Sequence, residues 1–178
     1  MSAGPLRGRV VRLGDDVDTD AIIPGPYLNL TDPAGLGEHL LEGYDPELSR
    51  RIAPGDILVA GENFGCGSSR EQAPVAILAR GVGAVIAASY ARIFLRNAIN
   101  LGLLAIESRE ASAGLLEGDA VDIDLAQGVI AGERSGSFAV PPTPPFVAQI
   151  IAQGGLVPWV RRRLEERSAA GGGVDHEP

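Results

Sequence analysis

The strongest constraint on the fold lies between residues 56 and 106. Two short aliphatic runs, 56–60 (Asp-Ile-Leu-Val-Ala) and 84–88 (Ala-Val-Ile-Ala-Ala), carry no polar alternation. They are too short for core helices and read as strands covered on both faces. Between them, 71–80 has helical spacing, and Gly81-Val82-Gly83 stops it. A second helical stretch at 90–100 offers Ile93, Leu95, Ala98 and Ile99 to a core, and a short strand follows at 103–106. Strand, Gly-rich loop, helix, strand, helix, strand is the pattern of an α/β domain.

The flanks are less regular. An opening strand is expected at 7–13, ended by the turn Gly14-Asp15-Asp16. Ala21-Ile22-Ile23 is apolar and is broken by Pro24-Gly25-Pro26. Residues 27–45 read as loop, with a short helix near 36–41. Strict alternation over 118–125 predicts a half-buried strand, and 128–131 and 136–140 add two short ones, a small antiparallel meander. Pro141-Pro142-Thr143-Pro144-Pro145 is a stiff connector. Helices are expected at 146–153 and 156–167, and 168–178 is expected to be a disordered tail. The chain therefore reads as one domain, 1–167, plus that tail.

Composition removes several chemistries. All 15 basic residues are arginine. Without lysine there is no Schiff-base catalyst and no P-loop. A single cysteine, Cys66, excludes a disulfide framework, a cysteine zinc site and a self-contained iron–sulfur cluster. With only His39 and His176, a serine–histidine triad or multi-histidine metal site is nearly excluded. A net charge of −8 argues against broad nucleic-acid binding. No apolar run approaches ~18 residues, and no leader pattern opens the chain, so a cytoplasmic protein without a membrane segment is expected.

The Gly-rich loop Gly61-Glu62-Asn63-Phe64-Gly65-Cys66-Gly67-Ser68-Ser69-Arg70 is the most informative stretch. A strand, such a loop and a helix start gather free backbone N–H groups at one point. Ser68, Ser69 and Arg70 add hydroxyls and a guanidinium fork suited to a carboxylate or phosphate. The bland alternative, an N-cap serine and a surface arginine, is equally compatible with the spacing. Cys66 between two glycines reads as a residue chosen for fit. The cluster Asp15, Asp16, Asp18 and Asp20 lacks EF-hand spacing and reads as turn and cap chemistry. In an extended segment Asp18 and Asp20 would share a face. His39 reads as packed or solvent-facing. Arg92 and Arg96, spaced i and i+4, read as a solvated helix face, with carboxylate binding as the minor alternative.

Three motifs occur in order: Gly14-Asp15-Asp16-Val17-Asp18-Thr19-Asp20, the loop 61–71, and Ser89-Tyr90-Ala91-Arg92-Ile93-Phe94 with Arg96-Asn97. Together they resemble the small subunits of 3-isopropylmalate dehydratase and homoaconitase, the swivel domain of the aconitase superfamily. The resemblance spans roughly 6–167. It implies a swivelling three-layer β/β/α domain and a heteromeric enzyme, heterodimer or heterotetramer. It implies a large subunit that carries a four-iron four-sulfur cluster, with no metal held by this chain. It assigns the catalytic base to Ser68, substrate contacts to Ser69 and Arg70, and an active-site, catalytic role to Asp20.

The reaction so implied moves a hydroxyl between adjacent carbons of a hydroxy-carboxylic acid by dehydration and rehydration. A serine can serve as base where backbone N–H groups and a guanidinium stabilise its alkoxide. The loop after Pro24-Gly25 helps select substrate in this family. Relatives with an arginine after a Tyr-Leu pair contrast with Tyr27-Leu28-Asn29-Leu30-Thr31 here. Tyr27, Leu28, Asn29 and Leu30 are thus expected substrate neighbours, and an apolar substituent as in isopropylmalate is expected over a tricarboxylate. Homoaconitate, citramalate or dimethylmalate are the alternative substrates. A stand-alone anion-binding module is the alternative of another class.

Overall fold

The computed structural model describes residues 5–171. Its frame is a seven-stranded sheet in the order β4-β3-β2-β1-β5-β6-β7. Four strands are parallel neighbours: β1 (Leu6–Arg12), β2 (Ile57–Ala60), β3 (Ala84–Ala87) and β4 (Ala105–Glu107). The other three, β5 (Ala120–Asp124), β6 (Val129–Gly132) and β7 (Gly136–Ala139), form the expected antiparallel meander. It is not separate, because β5 pairs antiparallel with the free edge of β1.

Alternation along the parallel strands divides the interior into two cores. Val11, Leu58, Ala60, Val85 and Ala87 point to one face, against helical residues such as Leu40, Ala76, Ile77, Phe94 and Ala98. Val10, Ile57, Val59, Ala84 and Ile86 point to the other, against Val121, Ile123 and Ile130 of the curled antiparallel half. The order helices, parallel strands, antiparallel strands gives the three-layer β/β/α arrangement. It also explains why β2 and β3 are buried at every position.

The helices that cover the sheet are α1 (Thr19–Ile22), α2 (Pro33–Glu38), α3 (Pro46–Arg51), α4 (Gln72–Ala79) and α5 (Arg92–Leu101). A 3₁₀ turn spans Gly25–Asn29. Helix α6 (Arg109–Gly114) closes the second core, and α7 (Pro145–Ala152) and α8 (Leu156–Gly171) end the described chain. Gly81 and Gly102, at φ +80° and +85°, stop α4 and α5.

Several boundaries differ from the sequence-based expectation. The short helix expected near 36–41 begins at Pro33, because Asp32 accepts from Gly35 N and Pro33 suits the first helical position. Residues 46–51 and 109–114, not expected to be helical, are each started by a cap: Asp45 accepts from Glu47 N and Leu48 N, and Ser108 from Ala111 N. The last helix continues past Arg167 to Gly171, into the segment expected to be disordered; 172–178 lie outside the described residues. No helix among the described residues is long and apolar enough to cross a membrane.

Gly8 lets β1 approach the 55–57 segment: a Cβ there would lie 2.7 Å from Ile57 Cγ1 and collide with the Gly55 carbonyl. Gly8→Ala is therefore expected to cost about 1–3 kcal/mol or more, by overpacking against backbone that cannot retreat. Urea denaturation checks this; an unchanged midpoint would show that β1 is not so closely seated.

Candidate active site

Three loops leave the carboxyl ends of β1, β2 and β3 side by side, and the middle one is the Gly-rich loop. It is hydrogen-bonded along both edges. On the β1 side, Gly61 N donates to Gly14 O, Asp16 N to Glu62 O, Gly65 N to Val17 O and Thr19 N to Cys66 O, all between 2.8 and 3.0 Å. On the β3 side, Phe64 N donates to Ser89 O and Ala91 N to Phe64 O, both at 3.0 Å. Isolated bridges Asp18–Cys66 and Phe64–Tyr90 mark the same parallel pairing continued beyond the strands.

Side chains reinforce it. Asp15 Oδ1 accepts from Glu62 N and Asp16 Oδ1 from Asn63 Nδ2, each at 2.8 Å. Asn63 N donates to Ser89 Oγ, whose own hydroxyl donates to Glu62. Asp18 caps α1 by accepting from Ala21 N at 2.7 Å. Asp18 is thus a cap, as the spacing suggests, while Asp15 and Asp16 bind the Gly-rich loop and Asp20 pairs with Arg70. Asp18 and Asp20 do not share an extended face, because Asp20 already belongs to α1. Among the described residues, no group of three or more His, Cys, Asp or Glu side chains could hold a metal.

Phe64 anchors the loop from beneath. It is fully buried and meets Phe94 and Tyr90 edge-to-face at 5.1 and 6.0 Å between ring centroids. Gly65 follows at φ +76°, where a Cβ would lie 2.5 Å from Phe94 Cβ, and Gly67 at φ +87°. These two left-handed residues turn the chain out of the ladder and present Ser68, Ser69 and Arg70.

The three line a cleft of about 340 Å³ with Thr19, Arg92 and Asn97. Ser68 and Ser69 are exposed, and neither caps α4: the capping position is Glu71, which makes no side-chain cap bond. The bland reading of the serines as caps therefore fails. Among the described residues, the amides of 68–72, which lead into α4, donate to no backbone carbonyl. The Ser68 carbonyl accepts from the buried Thr19 hydroxyl at 2.9 Å.

Arg70 is largely withdrawn from solvent and donates from Nη1 to Asp20 Oδ1 at 2.5 Å and to Ile23 O at 3.4 Å. Its Nε and Nη2 have no protein acceptor among the described residues, so one edge of the fork is open to an anion. Arg92 enters the cleft while Arg96 is not among its walls, which splits a pair expected to form one solvated face. Cys66 lies within the loop, but burial pushes its thiol up and the Asp18 and Asp16 carboxylates push it further, the opposite of what activates a thiolate.

The structure thus brings Ser68, Ser69, Arg70 and Asp20 together. It leaves Tyr27, Leu28, Asn29 and Leu30 outside the cleft wall, the first three on the 3₁₀ turn and Leu30 at its C-cap. The sequence reading gives no part to Thr19 and Asn97; a β-branched hydroxyl between two aspartates is the only local signal for Thr19.

Comparison with known proteins gives the family. The chain is 54% identical over 161 residues to the 3-isopropylmalate dehydratase small subunit of Moorella thermoacetica, covering 90% of this chain and 97% of that one. The chain belongs to the 3-isopropylmalate dehydratase small-subunit family. The subunit of that name from Thermodesulfovibrio yellowstonii is 50% identical over 89% of this chain and 95% of its own. A crystal structure of 3-isopropylmalate dehydratase from Methanocaldococcus jannaschii superposes with a TM-score of 0.88 at 46% identity, over 94% of this chain and 99% of that chain. The aconitase C-terminal domain matches residues 41–111, which include the Gly-rich loop and α5. As in the rest of the small-subunit family, the name implies a larger partner.

Thr19→Val keeps the shape of the side chain and removes its bond to Ser68. The stranded carbonyl is expected to cost about 1–3 kcal/mol. Amide hydrogen exchange at 67–70 should accelerate; protection equal to wild type would remove Thr19 from the support of the loop.

Proposed function

We propose that the chain is the small subunit of an iron–sulfur hydro-lyase that interconverts 2-isopropylmalate and 3-isopropylmalate in leucine biosynthesis. The observation that carries the proposal is the open edge of Arg70 set beside the exposed Ser68 and Ser69 and the amides that start α4, in a chain of this family. Arg70 holds a substrate carboxylate through that edge, a planar fork on a planar group. Asp20 reaches the site through Arg70, fixing its orientation by the ion pair. Ser69 and Arg92 contribute further donors.

Ser68 is the base. It takes the proton from the carbon next to the carboxylate, and its alkoxide is stabilised by neighbouring N–H groups and by Arg70 once the cleft is closed and dry. Departure of the hydroxyl requires a Lewis acid, which the large subunit supplies with a four-iron four-sulfur cluster when the two chains meet. The residues of this chain do not fit such a cluster: the only cysteine, Cys66, has a raised pKa and carboxylate neighbours. No step is therefore assigned to a metal on this chain. The small subunit's share is the base, the carboxylate anchors and one wall of the cleft.

Tyr27, Leu28, Asn29 and Leu30 form the remaining wall when the large subunit is in place. Leu30 is exposed and Leu28 partly so, and no arginine stands among them. Such a wall suits an isopropyl group and offers no partner to a third carboxylate.

The test is turnover by the chain reconstituted with a cluster-bearing large subunit. Ser68→Ala should lower kcat by about 10²–10⁴-fold, the usual weight of a positioned base, with the far-ultraviolet circular dichroism unchanged. Arg70→Lys should fail as well, since an ammonium cannot reproduce the fork. Wild-type activity of Ser68→Ala, or a preference for homocitrate over isopropylmalate, would overturn the proposal.

A further inference from the structure

Outside the Ser68 cleft, the least conventional side-chain cluster among the described residues is built on Tyr27. Its ring lies flat on the His39 imidazole, with centroids 3.6 Å apart and planes 4° from parallel. His39 Nδ1 is 3.0 Å from Glu42 Oε2. The nearby Glu42 carboxylate raises the Tyr27 phenol, and Tyr27 and His39 together lower the Glu42 carboxyl. His39 therefore stands between the other two, stacked on Tyr27 on its face and held at Nδ1 by Glu42.

The position of this cluster gives it a use. The 3₁₀ turn Gly25–Asn29 has no fully buried residue and no side-chain cap, and only Tyr27 and Leu28 lean on the core. Its attitude depends on what holds Tyr27. The segment holding it is docked on the helix that carries Asp20. Leu41 N donates to Ile22 O at 2.8 Å, and a Cβ on Gly43 would lie 2.5 Å from Asp20 O. One support thus serves both the Asp20–Arg70 pair and the turn.

We propose that Tyr27, His39 and Glu42 form a positioning cluster that sets substrate selectivity by locking the 27–30 turn relative to Asp20 and Arg70. This rests on the reading that the turn faces the substrate's apolar substituent. His39 and Glu42 touch no substrate; they act through Tyr27. A locked turn presents Leu28 and Leu30 as a wall of fixed shape, which discriminates between substituents that differ by a few carbons. A loose turn accepts both.

The experiment measures kcat/KM of the reconstituted two-subunit enzyme for isopropylmalate and for its methyl-substituted analogue. His39→Ala removes the stack and the contact with Glu42. It should reduce the preference for the isopropyl substrate by roughly three- to tenfold, the weight of one aromatic contact, while kcat on the methyl analogue is retained. His39→Phe keeps the stack and should restore most of the preference. Leu30→Ala, run beside them, probes the wall itself. If Leu30→Ala shifts the preference and His39→Ala does not, the cluster is overturned and the substrate-facing turn stands. If neither shifts it, both are overturned. Should His39→Ala fail to assemble with the large subunit, His39→Leu, which fills the space but has no ring to stack, carries the same expectation, and an unaltered preference overturns the cluster.

Discussion

Everything the site does depends on a loop hydrogen-bonded along both edges. Parallel strands usually end where their ladder ends. Here the ladder between β1, β2 and β3 runs on through 61–66, with 14–19 on one side and 88–91 on the other. Each such bond contributes only about 0.5–1.5 kcal/mol net. Their joint effect is to leave the loop one conformation. Phe64 seals it from below, and the two left-handed glycines release it at a fixed point. Ser68 and Arg70 are presented by backbone geometry before any ligand arrives, which is what electrostatic stabilisation of an alkoxide requires.

The charges follow from that geometry. Arg70 is partly neutralised by Asp20 yet keeps one edge of its fork open. This arrangement holds the guanidinium in place without occupying the face a carboxylate would use. Asp15 and Asp16, in the same acidic motif, are used up on the loop's own amide and side-chain donors. A run of four aspartates thus divides into two clamps, one helix cap and one partner for a cation. On the proposed function, this chain contributes half of a cleft that a larger partner completes.

The sequence made some of this legible and hid the rest for identifiable reasons. The strands Ile57–Ala60 and Ala84–Ala87 could be read because both of their faces are covered, which forces an unbroken aliphatic run. The Ser68–Ser69–Arg70 stretch stood out as a Gly-rich loop between strand and helix, but its spacing left an anion site and a plain cap with a surface arginine equally open; that the serines do not cap α4 depends on where the helix starts. What Asp15 and Asp16 hold could not be read, since their partners lie 47 residues away along the chain. The short helices at 46–51 and 109–114 escaped because their stability comes from a single cap and from packing, not from a periodic apolar face. The union of the meander with β1 was hidden too: edge pairing is decided by backbone groups that every residue carries. The resemblance to aconitase-type small subunits supplied the partner and the cluster, which spacing alone does not specify.

On the proposed function, this chain is one half of an active site whose other half carries the metal. Titration of a cluster-bearing large subunit with the chain tests it most directly. Isopropylmalate turnover should be absent from either chain alone, appear on mixing, and saturate at a fixed subunit ratio. Turnover by the large subunit without this chain, or a stable complex of the two that remains inactive on hydroxy-acids, would contradict it.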